Sequence, residues 1–501
     1  MVRLADIQRR VLASLIIMLA MFIGGGSESF AKIVTVSGKA PSYAGIVLVM
    51  RAQRDAVSRM TYDLSSARVA ADGTFTFEAD IDEVTFATID LSFYEAYIYL
   101  EPGAKYEVTL PRHKLRPDAD RFNPFYQPKG INLALKSASS DLNQSIRKFD
   151  EAFAHLYYPN AVRIVRKHDK ALADKVIAQL DSAQHAIGCR KAYFAQHANY
   201  RKAEVYATPR VLSPRTVLRK YFAGQPVAFN VPAYWNVINI LSPDVIHENP
   251  NRAISKKLEA LAAKGGAETA TQIDAILATD TLLRGNQSLR ELLILKNIRD
   301  DYYSHKISDG RADTLLATVA RDFKNKHVRL MAANIYAMKN KLKPGLPAPE
   351  FNLVDNKDND VNLETFRGKF LYLCFMHSEN YECMKALPVL DNIANVHRND
   401  LSVLCVFTDD ESDALYAKLA KQTHNWRAIS WITSQRILSD YEVRGLPTYY
   451  LIDPDGCISI AQAPGPSENV GPAIAESIRQ YKIVTLRGRK EVPRTIYDLA
   501  K

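Results

Sequence analysis

Cysteine is scarce. Five residues in 501 cannot knit a chain of this length, which excludes a disulfide-held scaffold. Glycine and proline number 21 and 23, too few for a collagen-like or low-complexity architecture. No convincing internal repeat runs through the chain. Past its N-terminal end, no apolar run reaches the roughly 20 residues needed to span a bilayer. A Walker phosphate loop, a dinucleotide fingerprint and an HExxH zinc motif are all missing. What is present is globular: 47% hydrophobic and 24% charged, which excludes wholesale disorder. The length allows about two to four domains, each with its own core. The net charge of +10 and pI near 9.1 are spread along the chain and do not call for a nucleic-acid partner.

The N-terminus has the order of an export signal. MVRLADIQRR is basic, VLASLIIMLAMFI is apolar, and GGGSESFA brings small residues. Ser29 and Ala31 suit a signal peptidase, so cleavage is expected after Ala31 and residues 1–31 are assigned as signal peptide. An uncleaved anchor is the other reading, but the apolar run is short for a span. No cysteine follows it, so lipidation is not expected. The remaining chain is expected in the periplasm, without a transmembrane segment.

Three textures follow. Residues 32–112 contain IVTVSG, GIVLVM, TFTFEA, VTFATIDL, YEAYIYL and KYEVTL. These are short, rich in β-branched and aromatic residues, and partly alternating. Asp72-Gly73, between ARVAA and TFTFEA, is a hairpin signal, and Glu101-Pro102-Gly103 makes another turn. An antiparallel β-sandwich is expected, its exposed aromatics serving either a core or a ligand such as a glycan. Residues 113–344 begin with a linker rich in Pro, Arg and Asn, to about residue 128. Leu142, Ile146, Phe149, Phe153 and Leu156 then fall on one helical face, with Asp141 as candidate N-cap. KALADKVIAQL, ISKKLEALAAK, LRELLILKNIRDDYY and ADTLLATVARDF continue the helical texture, broken at YFAGQPVAFNVPAYWN. An irregular helical domain is expected there, with runs such as RIVRKHDK as solvated faces.

From residue 345 strands alternate with helices: LYLCF, CMKALPVLDNIANV, LSVLCVF, SDALYAKLAKQ, AISWI and YYLIDPDG. That order predicts an α/β sheet over residues 345–482, leaving 483–501 as a tail. Four stretches carry a resemblance to the exported thiol-disulfide oxidoreductases of the TlpA and ResA type. Ala348-Pro349-Glu350-Phe351-Asn352-Leu353 is similar to their APxFxL entry. LETFRGK, ending at Lys369, is similar to LxxFxGK before the first core strand. CMKALP from Cys383 is similar to CRxEMP at the active-site helix. Gly445-Leu446-Pro447-Thr448 resembles the cis-proline loop. The resemblance implies a thioredoxin fold, and so a multidomain α+β chain of sandwich, helical domain and thioredoxin-like α/β domain.

The resemblance also marks a departure. Members of the family carry Trp-Cys-x-x-Cys, whereas this chain has Glu379-Asn380-Tyr381-Glu382-Cys383. Asn380 stands where the attacking cysteine is expected and Cys383 stands at the resolving position. A dithiol cycle needs both thiols. Glu382 adds negative charge that opposes a thiolate at Cys383. Cys374 and Cys405 lie on apolar strands expected to be buried neighbours, Cys457 follows the DPDG turn, and Cys189 lies among the helices. His377 and Cys383 alone offer too few donors for a metal, and no cofactor is expected.

Three functions compete. The first is a binding or accessory protein in the cell envelope, holding a peptide or protein client beside Asn380, Tyr381, Leu446, Pro447 and Thr448. The second is an enzyme with Cys383 as its single catalytic thiol, since NxxC is formally similar to the peroxiredoxin TxxC. Met376 stands where that pattern needs proline. The third is a glycan or cell-wall binder acting through the sandwich.

Overall fold

The computed structural model describes residues 33–486, apart from 118–119, 121–122, 124–125, 139–141, 248–250, 265, 267, 356, 358, 410–411, 420–423 and 432–435. The export signal, the Asp141 cap and the tail beyond 486 lie outside the described residues. Among the described residues no helix is long and apolar enough to cross a membrane.

Nine strands come first: β1 Ile33–Lys39, β2 Val47–Gln53, β3 Thr61–Arg68, β4 Thr74–Asp80, β5 Thr85–Leu91, β6 Tyr94–Leu100, β7 Lys105–Thr109, β8 Lys129–Asn132 and β9 Ala134–Ala138. They form two sheets, ordered β4-β1-β7-β9 and β3-β2-β5-β6-β8. Alternation puts Phe75, Phe77 and Ala79 inward from β4 while its Thr and acidic residues face water. Val34, Val36, Phe77, Ile89, Ile98 and Tyr106 join one core shared by both sheets.

Four expectations need correction. The strands do not stop at residue 112, because β8 and β9 complete the two sheets. KGIN and ALKSA lack the aromatic and β-branched signature; they pair because each sheet edge offers unpaired backbone groups. The pairing is not wholly antiparallel, since β7 runs parallel to β1 and β8 parallel to β6. Residues 113–128 do not form a free linker throughout: Lys114 bridges to Ser92, and Arg116 N–H donates to Ser92 Oγ at 3.0 Å. The Asp72-Gly73 turn forms, with Gly73 at φ +85°. It does not make the expected hairpin, because it passes the chain from β3 in one sheet to β4 in the other. Turn chemistry sets the local reversal, and the ladder partner is chosen by which face each strand must bury.

Ten helices follow: α1 Leu142–Lys167, α2 Lys170–Ile187, α3 Ala192–Ala207, α4 Pro214–Tyr221, α5 Pro232–His247, α6 Arg252–Lys264, α7 Thr269–Leu277, α8 Gln287–Tyr303, α9 Asp309–Asp322 and α10 Lys326–Lys339. On α1 the expected stripe is buried at Leu142, Ile146, Phe149 and Phe153, with Tyr157 rather than Leu156 completing it. Helix α8 is central, and every residue from Leu289 to Ile298 is buried. Its charges are all matched: Arg290 to Asp274, Lys296 to Asp300, and Glu291 to the Lys324 and Asn325 N–H groups.

Polar pairs join the strands to the helices. Asn143 exchanges two hydrogen bonds with the Tyr99 backbone, each 2.8 Å. Asn334 donates to the buried Asp55 at 2.7 Å, and Lys191 pairs with Glu101 at 2.8 Å.

The last part begins with the small pair β10 Asn352–Val354 and β11 Asp360–Asn362. A five-stranded sheet follows, ordered β14-β13-β12-β15-β16, from β12 Phe370–Met376, β13 Leu401–Phe407, β14 Arg427–Ser430, β15 Thr448–Ile452 and β16 Ile458–Ile460. Strands β12, β13 and β14 are parallel, and β15 and β16 are antiparallel to their neighbours. The helices are α11 Tyr381–Val396, α12 Ser412–Leu419, α13 Arg436–Asp440 and α14 Val470–Leu486. All of β12 is buried, because both faces of the sheet are covered. Tyr372, Cys374 and Met376 share a core with α11 and α14. Leu371, Leu373 and Phe375 share the opposite one with α13. The final helix runs past residue 482, where a tail was expected to begin.

Candidate functional site

The site lies at the C-terminal ends of β12 and β13, where parallel strands converge and α11 begins. Met376 ends β12, and its carbonyl accepts the Thr408 N–H at 2.8 Å and the Thr408 hydroxyl at 3.2 Å. This fastens the two strand ends together. The chain then turns through His377, Ser378 and Glu379. Buried Asp409 accepts the Ser378 N–H at 3.1 Å, and the Glu379 N–H donates to His377 Nδ1 at 3.1 Å. His377 Nδ1 also lies 4.0 Å from Asp409 Oδ1.

Asn380 is the N-cap of α11. Its Oδ1 accepts the Cys383 N–H at 3.2 Å, satisfying one of the orphan donors at the helix start. Its Nδ2 donates to the Leu446 carbonyl at 3.4 Å. The side chain therefore spans from the helix start to the loop before β15. The Leu446–Pro447 peptide is cis. The Thr448 hydroxyl donates to the Gly445 carbonyl at 2.7 Å, which closes the loop. Among the described residues, nothing accepts the Leu446 N–H.

Tyr381 is 75% exposed, whereas Cys383 is fully buried. Helical geometry explains the contrast, since the first helical residue faces solvent and its neighbour two positions on turns under α11. Burial pushes the Cys383 thiol up to about 11, the Asp409 charge adds to this, and a His377 backbone N–H opposes it. Cys374 and Cys405 are register partners on β12 and β13, both fully buried, in the same core as Cys383. Burial holds the Cys374 thiol well above the ordinary range. Cys457 is buried beside the Asp453 turn, its thiol also raised to about 11. All five cysteines are free thiols.

Of the residues singled out by sequence, Asn380 and Leu446 meet directly. Tyr381, Pro447 and Thr448 flank them, and Cys383 sits beneath. Asp409, Ser378 and Thr408 were missed. Asp409 could have been found by its place two residues past the end of LSVLCVF, since the ends of adjacent parallel strands share one edge.

Residues 344–461 match the AhpC/TSA family. The thiol-disulfide oxidoreductase ResA of Bacillus thuringiensis (strain Al Hakam) is 26% identical over 121 residues, covering 24% of this chain and 70% of ResA. This domain is thioredoxin-like, of the TlpA/ResA type. The thioredoxin-like protein YneN of Bacillus subtilis is 25% identical over 118 residues, covering 23% of this chain and 69% of YneN. A solved structure of a thiol-disulfide oxidoreductase from Bacteroides vulgatus is 26% identical, with a TM-score of 0.26; it matches 27% of this chain and 98% of its own. A thiol:disulfide interchange protein DsbE from Chlorobium tepidum is 23% identical with a TM-score of 0.25, over 28% of this chain and 96% of its own. In the thioredoxin-like domain, the sheet, the start of α11 and the Leu446–Pro447 loop form one edge, open at Tyr381.

Proposed function

We propose that this chain is an exported accessory protein of the bacterial envelope, whose thioredoxin-like domain holds an extended polypeptide without dithiol chemistry. The observation that carries this is the occupant of the helix start. Asn380 stands where a CxxC reductase places its attacking thiol, and it is fully used as a cap and a tether. An amide cannot attack a disulfide. The thiol one turn on, Cys383, is buried and raised to about 11. At pH 7 only about one molecule in ten thousand would carry the thiolate there.

The edge left behind suits binding. The Leu446 N–H faces no described acceptor, so an extended client can add backbone hydrogen bonds there as an extra strand would. Tyr381 offers an exposed ring, and Thr448 a hydroxyl at the other side of the loop.

The test is site-specific photocrosslinking with p-benzoylphenylalanine at position 381 in the periplasm. The expected result is a discrete crosslinked client that is lost in Thr448→Ala and persists in Cys383→Ala. A crosslink that requires Cys383, or insulin reduction that disappears in Cys383→Ala, would overturn the proposal in favour of single-thiol chemistry.

A further inference from the structure

A cavity lies away from the thioredoxin-like domain. The loop after β2 and the start of β5 meet α5 and α10 around a space of about 550 Å³. That volume falls inside the roughly 300–1,000 Å³ usual for small-molecule sites, which favour junctions of this kind.

Its walls are aromatic and held in place. Phe229 stacks on His327, with centroids 4.6 Å apart and planes 21° apart. The Trp235 indole N–H donates to the Phe229 carbonyl at 2.9 Å. Its polar edge is therefore used, and the buried indole backs the Phe229 ring, with centroids 6.5 Å apart. Phe86 enters from β5, stacked on Tyr97 at 5.6 Å. Tyr62 closes another side under the Arg54 guanidinium, 4.9 Å from its ring centre.

Between the rings stand amides and balanced charges. Asn236 and Asn239 are exposed on one face of α5. Arg54 and Arg59 are matched in number by Asp55 and Glu83, so the walls select neither an anion nor a cation. Buried Asp55 is saturated, accepting from Val57 N–H, Ser58 N–H, Ser58 Oγ and Asn334 Nδ2. Asn334 is 3% exposed, and its Oδ1 finds no donor. Asn230 bridges Glu83 and the Val84 carbonyl at 3.0 and 3.2 Å, which fixes the strand side of the cavity to α5.

We propose that this cavity binds a neutral saccharide of one or two rings. A sugar ring presents C–H faces that lie against aromatic side chains. Its hydroxyls both donate and accept, which suits the planar amide of Asn239 on the exposed face of α5. Asn236 already donates to Glu204 at 3.1 Å, and a purely apolar ligand would leave Asn239 desolvated without a partner. An anion would face Glu83 as well as Arg54 and Arg59, with no net attraction from the walls. This inference is independent of the peptide-binding edge at Tyr381.

Calorimetric titration of the full chain tests it, using glucose, N-acetylglucosamine, maltose, cellobiose and chitobiose as probes, with inorganic phosphate as the charged comparison. The expected result is one-site binding of at least one sugar, with a Kd of about 1 mM or tighter. Asn239→Ala, at an exposed position that leaves the fold intact, should weaken binding about tenfold, as should Phe86→Ala. Tyr381→Ala should leave it unchanged. Absence of binding by all five sugars at about 10 mM, preferential binding of phosphate, or sugar affinity unmoved by both cavity variants would each overturn the proposal.

Discussion

Asn380 links the start of α11 to Leu446, accepting the Cys383 N–H with one end of its amide and donating to the Leu446 carbonyl with the other. One short side chain thus does the work of a helix cap and of a tether between two segments far apart in sequence. Both bonds use the geometry of an amide, with one acceptor and one donor end.

Asn380→Ala removes both bonds. Loss of an N-cap costs about 1 kcal/mol, so urea unfolding of the variant should shift by about that amount. Asn380→Asp keeps the cap and loses the donor to Leu446. It should therefore retain most of the stability while raising hydrogen exchange in the 444–448 loop. Equal stability of wild type and Asn380→Ala would show that the cap contributes nothing.

Asn380→Cys places two thiols at the spacing of a CxxC helix start. The new thiol sits where helix N–H groups favour a thiolate. The variant should close a disulfide on oxidation, seen as a mass decrease of about 2 Da, and reduce insulin faster than the wild type does. If no disulfide forms, position 380 does not correspond to the attacking thiol.

Thiol labelling should divide the cysteines sharply. Native protein at pH 8 is expected to react with iodoacetamide at Cys189, the one cysteine that is not fully buried, and urea should open the other four. The sign for Cys383 follows from its raised thiol. The reactive form is the thiolate, so reactivity rises only as pH approaches about 11. At pH 8 about one molecule in a thousand carries it. Peptide mapping that finds Cys383 labelled first would overturn this assignment.

Asp55 accepts four hydrogen bonds, three from Val57 and Ser58 in its own loop and one from Asn334 that ties the loop to α10. Asp55→Ala strands those donors in a buried place and should cost about 2–4 kcal/mol. Asp55→Asn should cost less, since one amide oxygen still accepts. Thermal melts of the two variants check the order.

Arg436 on α13 reaches the edge strand β3, donating to Asp63 at 3.3 Å and to the Thr61 carbonyl at 3.2 Å. The contact is partly exposed, so Arg436→Ala should cost under about 1 kcal/mol. Its clearer signature is faster hydrogen exchange across residues 61–68. Unchanged exchange there would show that the contact is not made in solution.

Strong local patterns were legible from sequence. Alternation in TFTFEA, the stripe on α1, and the strand-helix order after residue 345 each encode a buried face, and hydrophobic burial acts on those faces directly. The order of residues around Asn380 also pointed to a helix start, and α11 begins there with Asn380 as its cap. The weak strands KGIN and ALKSA were not legible, because what places them is the vacant edge of a sheet built from distant residues. The same holds for the crossover at Asp72-Gly73.

By itself, then, the chain determined its elements, its apolar faces and the identity of the residue at position 380. Tertiary structure alone decided that Asn380 reaches Leu446, that Asp409 sits beside Ser378, that Cys374 lies opposite Cys405, and that Tyr62, Phe86 and Phe229 from separate segments line one cavity. The physical reason is range. Propensity and periodicity act over a few residues, whereas a hydrogen bond or a cavity wall depends on where packing brings together groups with no relation in sequence.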